Sequence, residues 1–162
     1  MKIREMMAHD WPVVRTIYQE GIDTGLATFE TEIPTWEYWH DTHLQAGRLV
    51  AEDETSMLGW AALTAVSHRC VYGGVAEVSI YIANAARGQG VGTALLNALI
   101  RCSEDENLWT LQATILGGND ASVRLHEKCG FRMVGYREKI AQLHGQWRDT
   151  ILMERRSQQI GL

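Results

Sequence analysis

Prolines and phenylalanines number two each in this 162-residue chain, cysteines three, and basic residues are outnumbered, 15 Lys and Arg against 20 Asp and Glu. Each shortage excludes something. With only Pro12 and Pro34, and no Gly-, Ser- or Pro-rich stretch, no linker or low-complexity segment divides the chain. No unit recurs at a period of roughly 20 to 50 residues, which removes solenoids and propellers. Cys70, Cys102 and Cys129 are odd in number and lack CxxC spacing, so they build neither a disulfide framework nor a zinc knuckle. They read as reduced, mostly buried thiols. A net charge of -5 argues against a basic face for nucleic acid, so any bound anion needs a local arrangement to hold it. The longest apolar runs, such as Trp60–Leu63 and Ala94–Leu96, fall far short of the roughly 18 residues of a membrane span. Lys2, Arg4 and Glu5 put charge where a secretory signal carries its apolar run. A complete cytoplasmic protein is expected, one domain over residues 1–156 with a short tail at 157–162.

What is present has a clear order. Lys2–Met6 reads as a strand, and Asp10 as the cap of a helix with Pro12 in its first turn, where a missing amide hydrogen does no harm. Val13, Val14, Ile17, Tyr18 and Ile22 continue that helix at helical spacing. A loop through Gly25, Phe29, Thr31 and Pro34 leads to a second helix bearing Trp36, Trp39, His40, His43 and Leu44. His40 and His43 are spaced as metal ligands can be, but no third ligand lies nearby and no metal is expected. Leu49–Glu52 and Met57–Val66 form a hairpin, followed by a strand over Val75–Ile82. A helix from Gly90 or Val91 to Ser103, a strand over Leu108–Ile115, a helix over Asn119–Cys129 stopped by Gly130, and strands over Phe131–Ile140 and Trp147–Arg155 complete the chain. Helices cross between strands in the middle and hairpins close the ends, which predicts an α/β sandwich on a mixed sheet.

The most informative segment runs from the strand Glu77-Val78-Ser79-Ile80-Tyr81-Ile82 through Arg87-Gly88-Gln89-Gly90-Val91-Gly92 into Thr93-Ala94-Leu95. Alternating glycines let the backbone turn tightly and aim amide hydrogens at one spot, beside a helix N-terminus and the Arg87 guanidinium. Such a spot binds phosphate. A Walker loop needs Lys-Ser or Lys-Thr after its last glycine, where this chain has Thr93-Ala94. A dinucleotide fingerprint needs its third glycine at a position that is Thr93 or Leu95 here. A nucleotide-binding regulatory domain is therefore disfavoured. The remaining Arg-x-x-Gly-x-Gly pattern resembles the acetyl-CoA pyrophosphate loop of the GNAT superfamily of N-acetyltransferases.

A second segment, Asn119-Asp120-Ala121-Ser122-Val123-Arg124-Leu125-His126 followed by Cys129-Gly130-Phe131, is similar to the helix that follows the splayed strands of that superfamily. Where many members carry a Tyr, this chain has His126. With Ala76-Glu77, Ala27-Thr28-Phe29-Glu30-Thr31-Glu32 and His144-Gly145-Gln146-Trp147-Arg148-Asp149, it resembles the phosphinothricin and methionine sulfoximine acetyltransferase branch over nearly the whole chain. The resemblance implies an α/β (α+β) GNAT fold, a mixed twisted sheet of about seven strands flanked by about four helices.

It also implies roles. Acetyl-CoA is the expected co-substrate, met by Ile80, Tyr81, Ile82, Arg87, Gly88, Gln89, Gly90, Val91, Gly92, Thr93, Asn119 and Ser122, with no metal. Strand amides of Ile80–Ile82 are expected to meet the negative charge developing on the acetyl oxygen. A protonated amine has no lone pair to attack with, so Glu77 is the expected general base, and His126 the expected partner in proton transfer to the departing thiolate. Phe29, Thr31, Arg69, Tyr72, Val78 and Ser79, with Glu77, match positions around the acceptor. Cys70 beside His68 lacks a third group to make a nucleophilic site. The expected reaction is acetyl transfer to the α-amine of a small amino acid analogue. Alternatives are another amine, such as a polyamine, an aminoglycoside or a protein N-terminus, and a CoA-binding sensor without catalysis. A homodimer is expected from the resemblance and from six tryptophans, more than a small core easily hides.

Overall fold

The computed structural model describes residues 1–162. Strand β1 is Lys2–Glu5, helix α1 Trp11–Asp23, α2 Trp36–Thr42, β2 Leu49–Glu52, β3 Met57–Ala65, β4 Val75–Ile82, α3 Val91–Asp105, β5 Thr110–Leu116, α4 Asp120–Lys128, β6 Arg132–Leu143 and β7 Gln146–Arg156. These form one seven-stranded sheet in the order β1-β2-β3-β4-β5-β7-β6. Only β4 and β5 run parallel, and their pairing stops after Val75–Thr110, Ala76–Leu111 and Glu77–Gln112. Beyond Glu77 the two strands part. Since β4 is paired to β3 along its length and β5 to β7, the edges facing the gap carry free backbone donors and acceptors. No helix is long and apolar enough to cross a membrane.

Two cores flank the sheet. The stripe Leu95, Leu96, Leu99 and Ile100 of α3 packs with Leu63, Leu111, Phe131 and Met153 on one side. On the other, Val14, Ile17 and Tyr18 of α1 pack with Trp11, Trp39 and Trp60. Trp60 stacks on Tyr81 with ring centres 4.8 Å apart. Gly21 is where α1 crosses this pair: a Cβ there would lie 2.6 Å from the Tyr81 ring, so only glycine lets α1 approach β4 so closely. Of the six tryptophans only Trp147 is exposed, which removes the argument for a partner from tryptophan count.

The structure revises other details. Asp10 does stand at the start of α1, but its side chain caps nothing there. Its carboxylate instead accepts from both guanidinium nitrogens of Arg4, at 2.7 and 2.9 Å, and from the Met7 amide, because a charged bidentate partner outcompetes a neutral amide. This holds its pKa below the usual carboxylate range. His40 Nδ1 accepts from Arg48 and His43 Nδ1 donates to the Trp39 carbonyl, so both rings fasten the end of α2. Cys129 is buried and Cys102 partly so, their thiols pushed up in pKa chiefly by burial, while Cys70 is exposed. Residues 157–162 are pinned to the domain: Arg156 donates to the carbonyls of Ile160 and Gly161, and the buried Ser157 hydroxyl donates to Glu104.

Candidate active site

Two adjoining cavities open where β4 and β5 part, the smaller lined by both strands and the larger by the end of β4, the glycine loop after it and α4. The larger, about 730 Å³, is lined by Ile80, Tyr81, Ile82, Arg87, Gly88, Gly90, Val91, Gly92, Thr93, Asn119 and Ser122. Every residue expected against the cofactor is there except Gln89, whose side chain turns away to donate to the Ala85 carbonyl. Gly88 and Gly90 stand at φ +73° and +82° with open space where a Cβ would point. Their glycines are needed for backbone conformation, and the space above them is free for a ligand. Arg124 and Lys128, four residues apart on α4, join Arg87 around this cavity. Three cations thus meet a helix N-terminus in a protein of net charge -5.

The smaller cavity, about 230 Å³, is lined by Phe29, Glu77, Val78, Ser79, Thr114, His126 and neighbours, with Ala27, Ile80, Tyr81, Asn119 and Ser122 common to both. Helical spacing on α4 explains the sharing: Asp120, Arg124, Leu125 and Lys128 turn to the larger cavity and His126 to the smaller, with Asn119 and Ser122 at the boundary between them. Thr31 lies outside both cavities, exposed in the loop before α2. Arg69 and Tyr72 also lie outside, on the exposed turn leading into β4, with the Arg69 guanidinium 5.6 Å over the Tyr72 ring. Asn119 is committed within the protein. Its Oδ1 accepts from the Ser122 amide as the α4 cap, and its Nδ2 donates to the Leu26 carbonyl at 3.2 Å.

Glu77 is the only charged side chain lining the smaller cavity. Its Oε2 accepts from Gln112 Nε2 at 2.8 Å and Thr114 Oγ1 at 2.9 Å, both from β5, so it is fixed at the point where the strands part while Oε1 has no protein partner. His126 is 2% exposed, and its ring meets Phe131 edge-on at 5.0 Å. Nδ1 lies 2.7 Å from the Ser122 carbonyl. A carbonyl only accepts, so Nδ1 carries the proton and Nε2 is a bare acceptor, buried and without a partner. Burial lowers the pKa of His126 and the Ser122 bond opposes this only in part, so the neutral ring is favoured. Sequence reading found both groups but missed Gln112, Thr114, Arg124 and Lys128. The signal for the last two was their helical spacing to Asp120 on the face opposite His126.

The profile of the acetyltransferase (GNAT) family matches residues 4–131. The phosphinothricin N-acetyltransferase of Alcaligenes faecalis is 37% identical, covering 94% of this chain and 81% of that protein. The L-methionine sulfoximine/L-methionine sulfone acetyltransferase of Pseudomonas aeruginosa is 30% identical over 94% of this chain and 92% of its own. The crystal structure of a GNAT superfamily phosphinothricin acetyltransferase from Sinorhizobium meliloti in complex with acetyl-CoA superposes with a TM-score of 0.89 at 31% identity, covering 99% of this chain and 90% of that one.

Proposed function

Because the chain belongs to the GNAT acetyltransferase family, we propose that it transfers acetyl from acetyl-CoA to the α-amine of a small amino acid analogue of the phosphinothricin, methionine sulfoximine or methionine sulfone type. The larger cavity fits the co-substrate on this chain's own features, the glycine turns with open space above them and the cations Arg87, Arg124 and Lys128. Bound there, acetyl-CoA supplies an electrophilic thioester carbonyl and a thiolate leaving group.

The observation that carries the reading is Glu77 with one oxygen anchored and the other free, in a small cavity beside a neutral imidazole. Glu77 Oε1 draws the acceptor's ammonium in and takes its proton, directly or through a water, which exposes the nitrogen lone pair. His126 lines the same cavity, and its Nε2, buried and without a partner, is the ring nitrogen left to accept once a substrate draws close. It takes the proton the nitrogen sheds once the new bond forms and returns it to the departing sulfur, with Nδ1 kept on the Ser122 carbonyl throughout. The strand amides within Ile80–Ile82 that point away from β3 face the acetyl oxygen. No cation lines the smaller cavity, and Arg69, expected at the acceptor, stands outside it on the turn before β4.

The exposed Met133, Tyr136, Ile140 and Trp147 on the β6–β7 hairpin support a homodimer through that face, which light scattering tests. A cytoplasmic location agrees with the exposed, unpaired Cys70. The activity is tested by following free thiol with acetyl-CoA and a panel of amino acid analogues, polyamines, aminoglycosides and peptides. Turnover with amino acid analogues is expected; turnover with polycations or peptides alone moves the reading to another amine, and no release with any amine leaves a CoA-binding sensor. Glu77→Gln is expected to bind acetyl-CoA as before and lose turnover by about 10²-fold or more near neutral pH. Unchanged turnover removes Glu77 as the base.

A further inference from the structure

We infer that Arg148 is a positioning residue for acetyl transfer: with Asn119 it fixes the segment Gly25–Phe29, the wall shared by the two cavities. The kinetic consequence rests on the acetyltransferase reading above, while the structural tie does not.

Arg148 lines neither cavity. It stands on β7, and its guanidinium forms no ion pair; it bridges two backbone carbonyls instead, donating to Gly25 at 3.0 Å and to Gly117 at 3.2 Å. One residue on, the Asp149 carbonyl accepts from the Gly117 amide at 2.9 Å, so β7 grips the turn between β5 and α4 at two points. Asn119, on that turn, donates to the Leu26 carbonyl at 3.2 Å. Successive carbonyls after α1 are thus tied to the turn where α4 begins.

The segment needs these ties. Between α1 and α2 it has no helix or strand of its own, and within it the side-chain support is the Thr24 hydroxyl under the Leu26 amide and the Thr28 hydroxyl under the Glu30 amide. A stretch with so few internal bonds opens easily unless held from outside. Leu26 and Ala27 line the larger cavity, and Ala27, Thr28 and Phe29 the smaller. A shift of this wall therefore widens the acceptor's space and loosens its orientation against Glu77. Arginine suits the task because its planar fork reaches two carbonyls at fixed angles, which a lysine ammonium does not pre-organise.

The test combines hydrogen exchange and steady-state kinetics on the full chain. In Arg148→Ala, amides of residues 25–29 are expected to exchange about tenfold faster or more, with the rest of the chain unchanged. With the best amine of the wild-type protein, acceptor KM rises about tenfold, kcat falls less than about threefold, and the pH profile keeps its midpoint. Arg148→Lys is expected to resemble the alanine variant more than the wild type. Asn119→Asp keeps the α4 cap and removes the donor to Leu26, so it loosens the same segment while α4 stays protected. Unchanged exchange at 25–29 in both Arg148→Ala and Asn119→Asp overturns the tie. Faster exchange spread over the whole chain, or confined faster exchange with KM and kcat at wild-type values, overturns the positioning role. If the wild type acetylates no amine, the acceptor reading fails on its own while the exchange experiment still decides the tie.

Discussion

His126→Phe separates the chemistry of the smaller cavity from its packing. The imidazole contributes one hydrogen bond, Nδ1 to the Ser122 carbonyl, a net gain of about 0.5–1.5 kcal/mol. It also carries a cost: Nε2 is buried without a partner, a desolvation penalty of about 1–3 kcal/mol. Phenylalanine removes both and keeps an aromatic ring edge-on to Phe131 beside the smaller cavity. The two effects nearly cancel, so stability is expected to stay within about 1 kcal/mol, a melting shift of roughly 2–4 °C in a domain of this size. Proton transfer has no such compensation. Loss of a positioned acid–base group lowers turnover by about 10²–10⁴-fold. Thermal melts, acetyl-CoA binding by calorimetry and thiol release from pH 6 to 9 read the three quantities on one preparation. Turnover within about threefold of wild type would refute the proton-carrying role, and a stability loss above about 3 kcal/mol would show that the imidazole is structural.

Two further expectations follow from the same structure. Gly90→Ala meets no steric obstacle but must hold φ +82°, a cost of about 1–2 kcal/mol, so the melting point falls by several degrees and acetyl-CoA binds more weakly. Gly135→Ala, also in open space but without a positive φ, leaves both unchanged, and equal effects in the two variants exclude backbone conformation as the cause. Burial lowers the pKa of both His126 and His43, so below about pH 6.5 the unfolded chain takes up protons that the folded chain refuses. Stability is thus fully present above that pH and is lost as pH falls through the folded values, by about 1.4 kcal/mol per pH unit for His126. Urea melts between about pH 7.5 and 5 measure the slope, and His126→Phe must flatten it.

Much of this was legible in the sequence because local signals agreed with the fold. Gly90 opens α3, Gly130 follows α4, and the α3 stripe of Leu95, Leu96 and Leu99 is the one that is buried. Glu77 and His126 reach one cavity although far apart in sequence. Contacts set by tertiary geometry were not legible. Asp10 reads as a cap until Arg4 is placed beside it, and Asn119 gives no hint of reaching Leu26. The bulge between Arg137 and Ala141, with Lys139 at φ +47° and its amide on the Asp149 carboxylate, interrupts β6 without a glycine or proline to mark it. Arg69, Tyr72 and Thr31 were carried by similarity alone, and nothing local to them draws them into the cavity.

The gap between β4 and β5 has a mechanical side. Along that line the sheet is joined by three register pairs, whereas its neighbours on either side are joined over most of their length. A strain applied across the sheet, from β1 towards β6, gathers on those three rungs as it does at the tip of a crack. A molecule lodged between the strands and bonded to both edges lies across that crack as a splice and shares the load. The parting of β4 and β5 is therefore also the line along which the fewest register pairs hold the sheet together, and a molecule bound across it is expected to stiffen that line.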